Sequence, residues 1–109
     1  MAFPGCQEFM YPFLKILEDG KEHLLREAYN RLADEFSVSE EEREELLPSG
    51  KQRVFHNRIG WTRTYLNKAG LLETVRRGVF VITERGRQVL VDSNVESINN
   101  AFLMQFEEF

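Results

Sequence analysis

The residues best suited to chemistry lie on one side of the stretch from Arg53 to Ala69. Arg53, His56, Asn57, Gly60, Arg63, Thr64 and Asn67 recur there at helical spacing, and every one is basic, polar or small, with no acid among them. On an exposed helix such a set matches the edges of duplex bases. Arginine pairs bidentately with guanine, asparagine pairs with adenine, and a helix fits the major groove. Gly60 permits close approach to the groove wall. Lys51 and Lys68 flank the stretch and suit phosphates, which fix register but carry no sequence information. Arg76 and Arg77 sit together just before Gly78, where they could engage phosphates or the minor groove.

Other chemistries lack their parts. Cys6 is the sole cysteine, so it forms no internal disulfide or multi-thiolate metal site, and no His partner marks it as a nucleophile. His23 and His56 are far apart in sequence with no obvious third metal ligand. Gly-rich phosphate loops, nucleophile elbows and paired catalytic acids are missing from the pattern. The run Glu40 to Glu45 reads as a solvated helix surface. Trp61 and Tyr65 read as core rather than base-stacking residues. Arg58 is either a cation–π or ion-pair partner near Trp61 or a DNA contact. Arg85 and Arg87 read as solvent charges.

Charge is strongly polarised. The chain of 109 residues has a net charge of −4, which by itself argues against nucleic acid. Yet Lys51 to Arg87 holds nine basic residues against Glu73 and Glu84, while the remainder holds five basic against sixteen acidic. A local footprint of this kind points to an anionic partner. The length suits a single domain, and 42% hydrophobic with 29% charged residues is ordinary for a globular protein. No apolar run is long enough to span a bilayer, and Met1 to Gly5 does not read as a signal peptide. A reducing, cytoplasmic setting is expected.

Positioning elements follow from periodicity and punctuation. Met10, Phe13, Leu14 and Leu17 mark a first helix over about Phe9 to Leu17, with Pro12 suggesting a start near Tyr11, and Asp19-Gly20 ends it. Glu22 to Leu24 is a short extended piece. Leu25, Ala28, Tyr29, Leu32 and Phe36 share one face of a second helix. Ser39 opens a capping box and a short helix, with Leu46-Leu47 as its apolar contact and Pro48-Ser49-Gly50 as its end. In the polar-faced helix, Phe55, Ile59, Thr62, Leu66 and Ala69 form the buried side, and Gly70 terminates it. Leu72 to Val75 and Val79 to Ile82 form a hairpin with two arginines at its tip. Thr83 caps a helix over Glu84 to Val91, and a helix is also expected to begin through Val95, Ile98 and Phe102. The order of elements implies a mostly α fold with a small β-hairpin: a winged helix-turn-helix.

The residues Leu46-Leu47-Pro48-Ser49-Gly50, then Val54 through Leu66, then Lys68-Ala69-Gly70-Leu71-Leu72-Glu73, resemble the N-terminal domain of Mrr-type (type IV, modification-dependent) restriction endonucleases. Arg77-Gly78, Ile82-Thr83 and Gly86 continue the resemblance, and Asp19 to His23 and Leu103 to Phe106 also fit. The resemblance implies a winged helix that recognises modified, typically methylated, foreign DNA, joined to a C-terminal nuclease domain of the PD-(D/E)xK type that cuts with Mg²⁺. The present sequence stops before such a domain. It is therefore expected to be no enzyme by itself and to need no cofactor, Mg²⁺ belonging to the absent nuclease.

Residues 1–92 are thus expected to form the DNA-binding domain and 93–109 a linker or tail. Phe102, Leu103, Met104, Phe106 and Phe109 are too apolar for a solvated linker. They pack on a nuclease domain, on a second copy, or on this domain's own core. Two alternatives to duplex-DNA recognition stand beside it. One is a winged helix docking an acidic protein, and the other is a small transcription repressor.

Overall fold

Phe9 and Met10 decide where the chain begins to fold. In the computed structural model, which describes residues 6–93, 95 and 97–106, helix α1 runs over Cys6–Ile16 and contains Pro12 in its interior. The expected start near Tyr11 is therefore too late. A proline here forfeits one helical hydrogen bond, a cost of about 3 kcal/mol. Starting at Cys6 in turn buries Phe9 and Met10 completely, and each such side chain contributes roughly 1.5–3 kcal/mol. The ring of Phe9 meets Phe36 and Phe55 edge-on, with centroids 5.0 and 5.8 Å away.

Strand β1 (His23–Leu24) leads directly into α2 (Leu25–Glu35), whose Ala28, Leu32 and Ala33 face the core. Ser39 forms the full capping box of α3 (Glu40–Glu44). Its hydroxyl accepts from the Glu42 N–H, and the Glu42 carboxylate accepts from the Ser39 N–H. Leu46 does not provide that helix with an apolar contact. It is 54% exposed and forms an isolated antiparallel bridge with Arg53. Leu47 is the member of the pair that packs on the core.

Helix α4 (Val54–Lys68) buries Phe55, Ile59, Thr62 and Leu66, with Ala69 buried at its C-cap. The Gly70 N–H donates to Asn67 O and the Leu71 N–H to Leu66 O, and Gly70 has φ +79°. That left-handed residue closes the helix in a Schellman motif. Strands β2 (Leu72–Arg76) and β3 (Val79–Ile82) follow, joined at Arg77-Gly78. The sheet is antiparallel in the order β1-β3-β2, with His23 opposite Phe80 and Thr74 opposite Phe80 on the other side. A bulge between Thr74 and Arg76 leaves Val75 without a cross-strand partner. Thr83 caps α5 (Glu84–Val91) by accepting from the Gly86 N–H.

The segment after α5 is less helical than expected. Helix α6 covers only Asn100–Leu103, with Asn99 as its cap. Ile98 and Leu103 are buried in the hydrophobic core cluster, and Val95, Phe102 and Phe106 pack against it. Among the three destinations for this tail, these residues take the domain's own core. Phe109 and the Met1 to Gly5 segment lie outside the described residues. The architecture, helices around a small antiparallel sheet, is compatible with a winged helix. Among the described residues no helix is long and apolar enough to cross a membrane.

Candidate nucleic-acid interface

At 3.6 residues per turn the seven polar positions of α4 do not all share one face. Arg53, Asn57, Gly60, Thr64 and Asn67 lie around the side opposite Phe55, Ile59 and Leu66. His56 and Arg63, seven residues apart, fall on the flank towards α2. The structure shows the consequence. His56 stacks flat on Tyr29 at 3.9 Å and 2°, and Arg63 lies 5.8 Å above the Phe80 ring. His56 Nε2 and Arg63 Nε are buried, with no hydrogen-bond partner among the described residues. Burial, then Arg53 and Arg43, hold the His56 pKa below its ordinary value. Burial raises that of Tyr29, partly offset by Arg63.

The outward residues are organised by local bonds. The Asn57 side-chain amide donates to Gln52 Oε1 at 3.1 Å, and the Thr64 hydroxyl donates to Gly60 O at 3.0 Å. Asn67 Oδ1 accepts from the Thr74 hydroxyl at 3.1 Å, tying the end of α4 to β2. Lys51, Arg53, Asn67 and Lys68 are exposed. No acidic residue occurs between Glu45 and Glu73.

The hairpin carries one arginine at its turn rather than two. Arg77 occupies the turn and is exposed. Arg76 is the last residue of β2 and donates to Glu22 Oε1 at 3.0 Å, because the bulge swings it towards the chain before β1. Arg85 is not a plain solvent charge. It donates to Ala69 O at 2.7 Å and covers the Phe106 ring at 4.8 Å. Arg87 is exposed beside Gly20.

Trp61 and Arg43 also differ from their sequence reading. Trp61 is 50% exposed, because it lies beyond the edge of the buried face of α4, and its ring leans on Tyr65 at 5.7 Å. Of the two aromatic residues, only Tyr65 packs on the core. Arg43 was overlooked as part of the glutamate run. It reaches Asn30 Oδ1 at 2.9 Å and is close enough to depress His56. Its one sequence signal is being the lone cation between Glu40 and Glu45.

A separate polar cluster lies behind the hairpin. Both nitrogens of buried His23 are 2.8 Å from a carboxylate oxygen, Nε2 from Asp19 and Nδ1 from Glu27. Glu27 also pairs with Arg31 at 3.1 Å. Among the described residues no group of three or more His, Cys, Asp or Glu is arranged to hold a metal.

The sequence profile of the Mrr N-terminal domain matches residues 7–92, which takes in α1 from its second residue, α2 to α5 and the whole sheet. The chain belongs to the Mrr N-terminal domain family. Over 87 residues it is 31% identical to the type IV methyl-directed restriction enzyme EcoKMrr of Escherichia coli strain K12. That alignment covers 79% of this chain and 28% of the relative, so the Mrr N-terminal domain corresponds to a minor part of that enzyme. No solved structure matches the chain.

Proposed function

We propose that this chain is a winged helix-turn-helix that binds double-stranded DNA, the target-recognition module of an Mrr-like restriction system acting on modified foreign DNA. The observation that carries the reading is the outward face of α4, which has no acid between Glu45 and Glu73, together with the exposure of Lys51, Arg53, Lys68 and Arg77. In this reading α4 enters the major groove. Asn57, Thr64 and Asn67 approach base edges, and Lys51, Arg53, Lys68 and Arg77 hold phosphates. The family relationship supports the same partner, since the E. coli relative is named as a methyl-directed restriction enzyme. Recognition in the cytoplasm is assigned to this chain, and Mg²⁺-dependent cleavage to a C-terminal nuclease domain.

Fluorescence anisotropy of the 109-residue chain with labelled duplexes, across a salt series, tests this. Each phosphate contact adds about −0.9 to the log–log slope of affinity against salt. Arg53→Ala and Arg77→Ala are each expected to flatten the slope by about that amount, while Asn57→Ala changes sequence preference. Absence of salt-sensitive binding to any duplex would overturn the proposal in favour of an acidic protein partner.

A further inference from the structure

The neighbouring arginines of the hairpin have different surroundings. Arg77 is exposed at the turn, while Arg76 donates to Glu22 Oε1 at 3.0 Å. The strand register explains the split. Thr74 and His23 both oppose Phe80, and this face of the sheet meets α4, since Arg63 lies over the Phe80 ring and the Thr74 hydroxyl donates to Asn67. Arg76 and Leu24 both oppose Val79, so strand alternation turns them to the other face. Glu22, two residues before Leu24, falls on that side too. The bulge between Thr74 and Arg76 is what inverts the arginine, because a regular strand would leave both residues on the α4 side.

Both ends of the pair are mounted on fixed main chain. The Lys21 N–H donates to Asp19 Oδ1 at 2.9 Å, and buried His23 has both ring nitrogens 2.8 Å from carboxylates, so Glu22 lies between two anchored residues. Gly78 O accepts from the Leu25 N–H at 2.8 Å, which ties the turn after Arg76 to the same part of the chain. The pair itself is open to water, with the Arg76 side chain 64% and the Glu22 side chain 47% exposed. A pair so exposed adds little to stability. Its larger consequence is for what Arg76 can bind.

Resting on the DNA reading above, we propose that Glu22 sets the affinity of this surface for duplex DNA by holding Arg76 away from the phosphates. Arg77 is then the contact of the hairpin, and Arg76 is a reserve cation whose charge Glu22 neutralises. Phosphate contacts carry no sequence information, so withholding one lowers binding to every duplex alike.

Anisotropy of the 109-residue chain with a labelled random-sequence duplex, across a salt series, tests this. Glu22→Ala removes both the charge and the acceptor and so frees Arg76. The log–log slope of affinity against salt is expected to steepen by about 0.9, which adds a factor of about 3.5 in affinity for each fourfold drop in salt. Adding Arg76→Ala to that variant returns the slope to the parent value. An unchanged slope in Glu22→Ala overturns the assignment and leaves DNA binding standing. So does a flatter slope, which would make Glu22 a brace for Arg77. So does a steeper slope that survives in the double variant, which would make Glu22 a general repulsion. Failure of the parent and both variants to bind the duplex overturns the DNA reading and this inference with it.

Discussion

The His56 imidazole lies flat on Tyr29, with centroids 3.9 Å apart and planes 2° from parallel. This stack joins α4 to α2 on the flank where Arg43 and Arg53 also act on His56. Burial and the two arginines disfavour its charged form. His23 is the opposite case. Burial pulls its pKa down, but the hydrogen bonds to Asp19 and Glu27 outweigh it and leave the group raised.

The two histidines should therefore titrate on either side of the ordinary value near 6.5. His56 is depressed in the folded state, so the unfolded chain takes up its proton first, and stability falls as pH drops through 6.5. His23 is raised, so its contribution is complete below 6.5 and is lost as pH rises through its folded value. Imidazole proton NMR reads both midpoints directly. Two midpoints on the same side of 6.5 would contradict the arrangement.

Arg43→Ala couples two readouts. It removes a cation beside His56, so the His56 midpoint should rise towards 6.5. If Arg43 also meets a phosphate, the same variant flattens the salt slope of DNA binding by about 0.9. A rise in the midpoint with no change in slope would confine Arg43 to a structural role.

Much of the fold was legible in the sequence because local rules and burial agreed there. The Ser39 capping box, the Thr83 cap and the Gly70 stop each depend on neighbours within a few residues. The misreadings share a different cause, which is tertiary context. Pro12 marks a helix start by propensity, yet burial of Phe9 and Met10 extends α1 past it. Arg76 belongs to the hairpin turn in a linear reading, until a bulge sends it to Glu22. For the candidate site, helical spacing already separates the outward Asn57 and Thr64 from His56 and Arg63, but it does not reveal that the flank of the latter two meets Tyr29 and Phe80. Arg43 comes from another helix, and no pattern within the α4 segment reveals it.

Gly60 and Gly86 should respond to alanine with opposite signs. Gly60 has open space, so Gly60→Ala is expected to stabilise the free domain by about 0.5–1 kcal/mol. At Gly86 an added Cβ would collide with Leu71 O and come within 2.7 Å of Ile82 Cγ1. Main chain on one side leaves little room to yield, so Gly86→Ala should cost about 3 kcal/mol. Thermal unfolding of both variants checks the contrast, and a Gly60→Ala variant less stable than the parent would show that Gly60 itself has a structural duty.

The segment after α5 supplies the last test, because its apolar residues have two uses that differ in consequence. If Leu103 served chiefly a second copy or another domain, its loss would leave the isolated chain nearly as stable as before. The structure instead places Leu103 at 0% and Ile98 at 2% exposure within the domain core. Arg85 braces the same region, bonding to Ala69 O and covering Phe106. Leu103→Ala should then cost about 2–5 kcal/mol, as for a core leucine left with a cavity. Met104 is 73% exposed, so Met104→Ala should change stability by only about 0.5 kcal/mol. Urea unfolding at two protein concentrations measures both. A large Leu103→Ala loss that does not depend on concentration places this segment in the domain itself. A loss that grows on dilution of the parent chain would mean that a second copy completes the core.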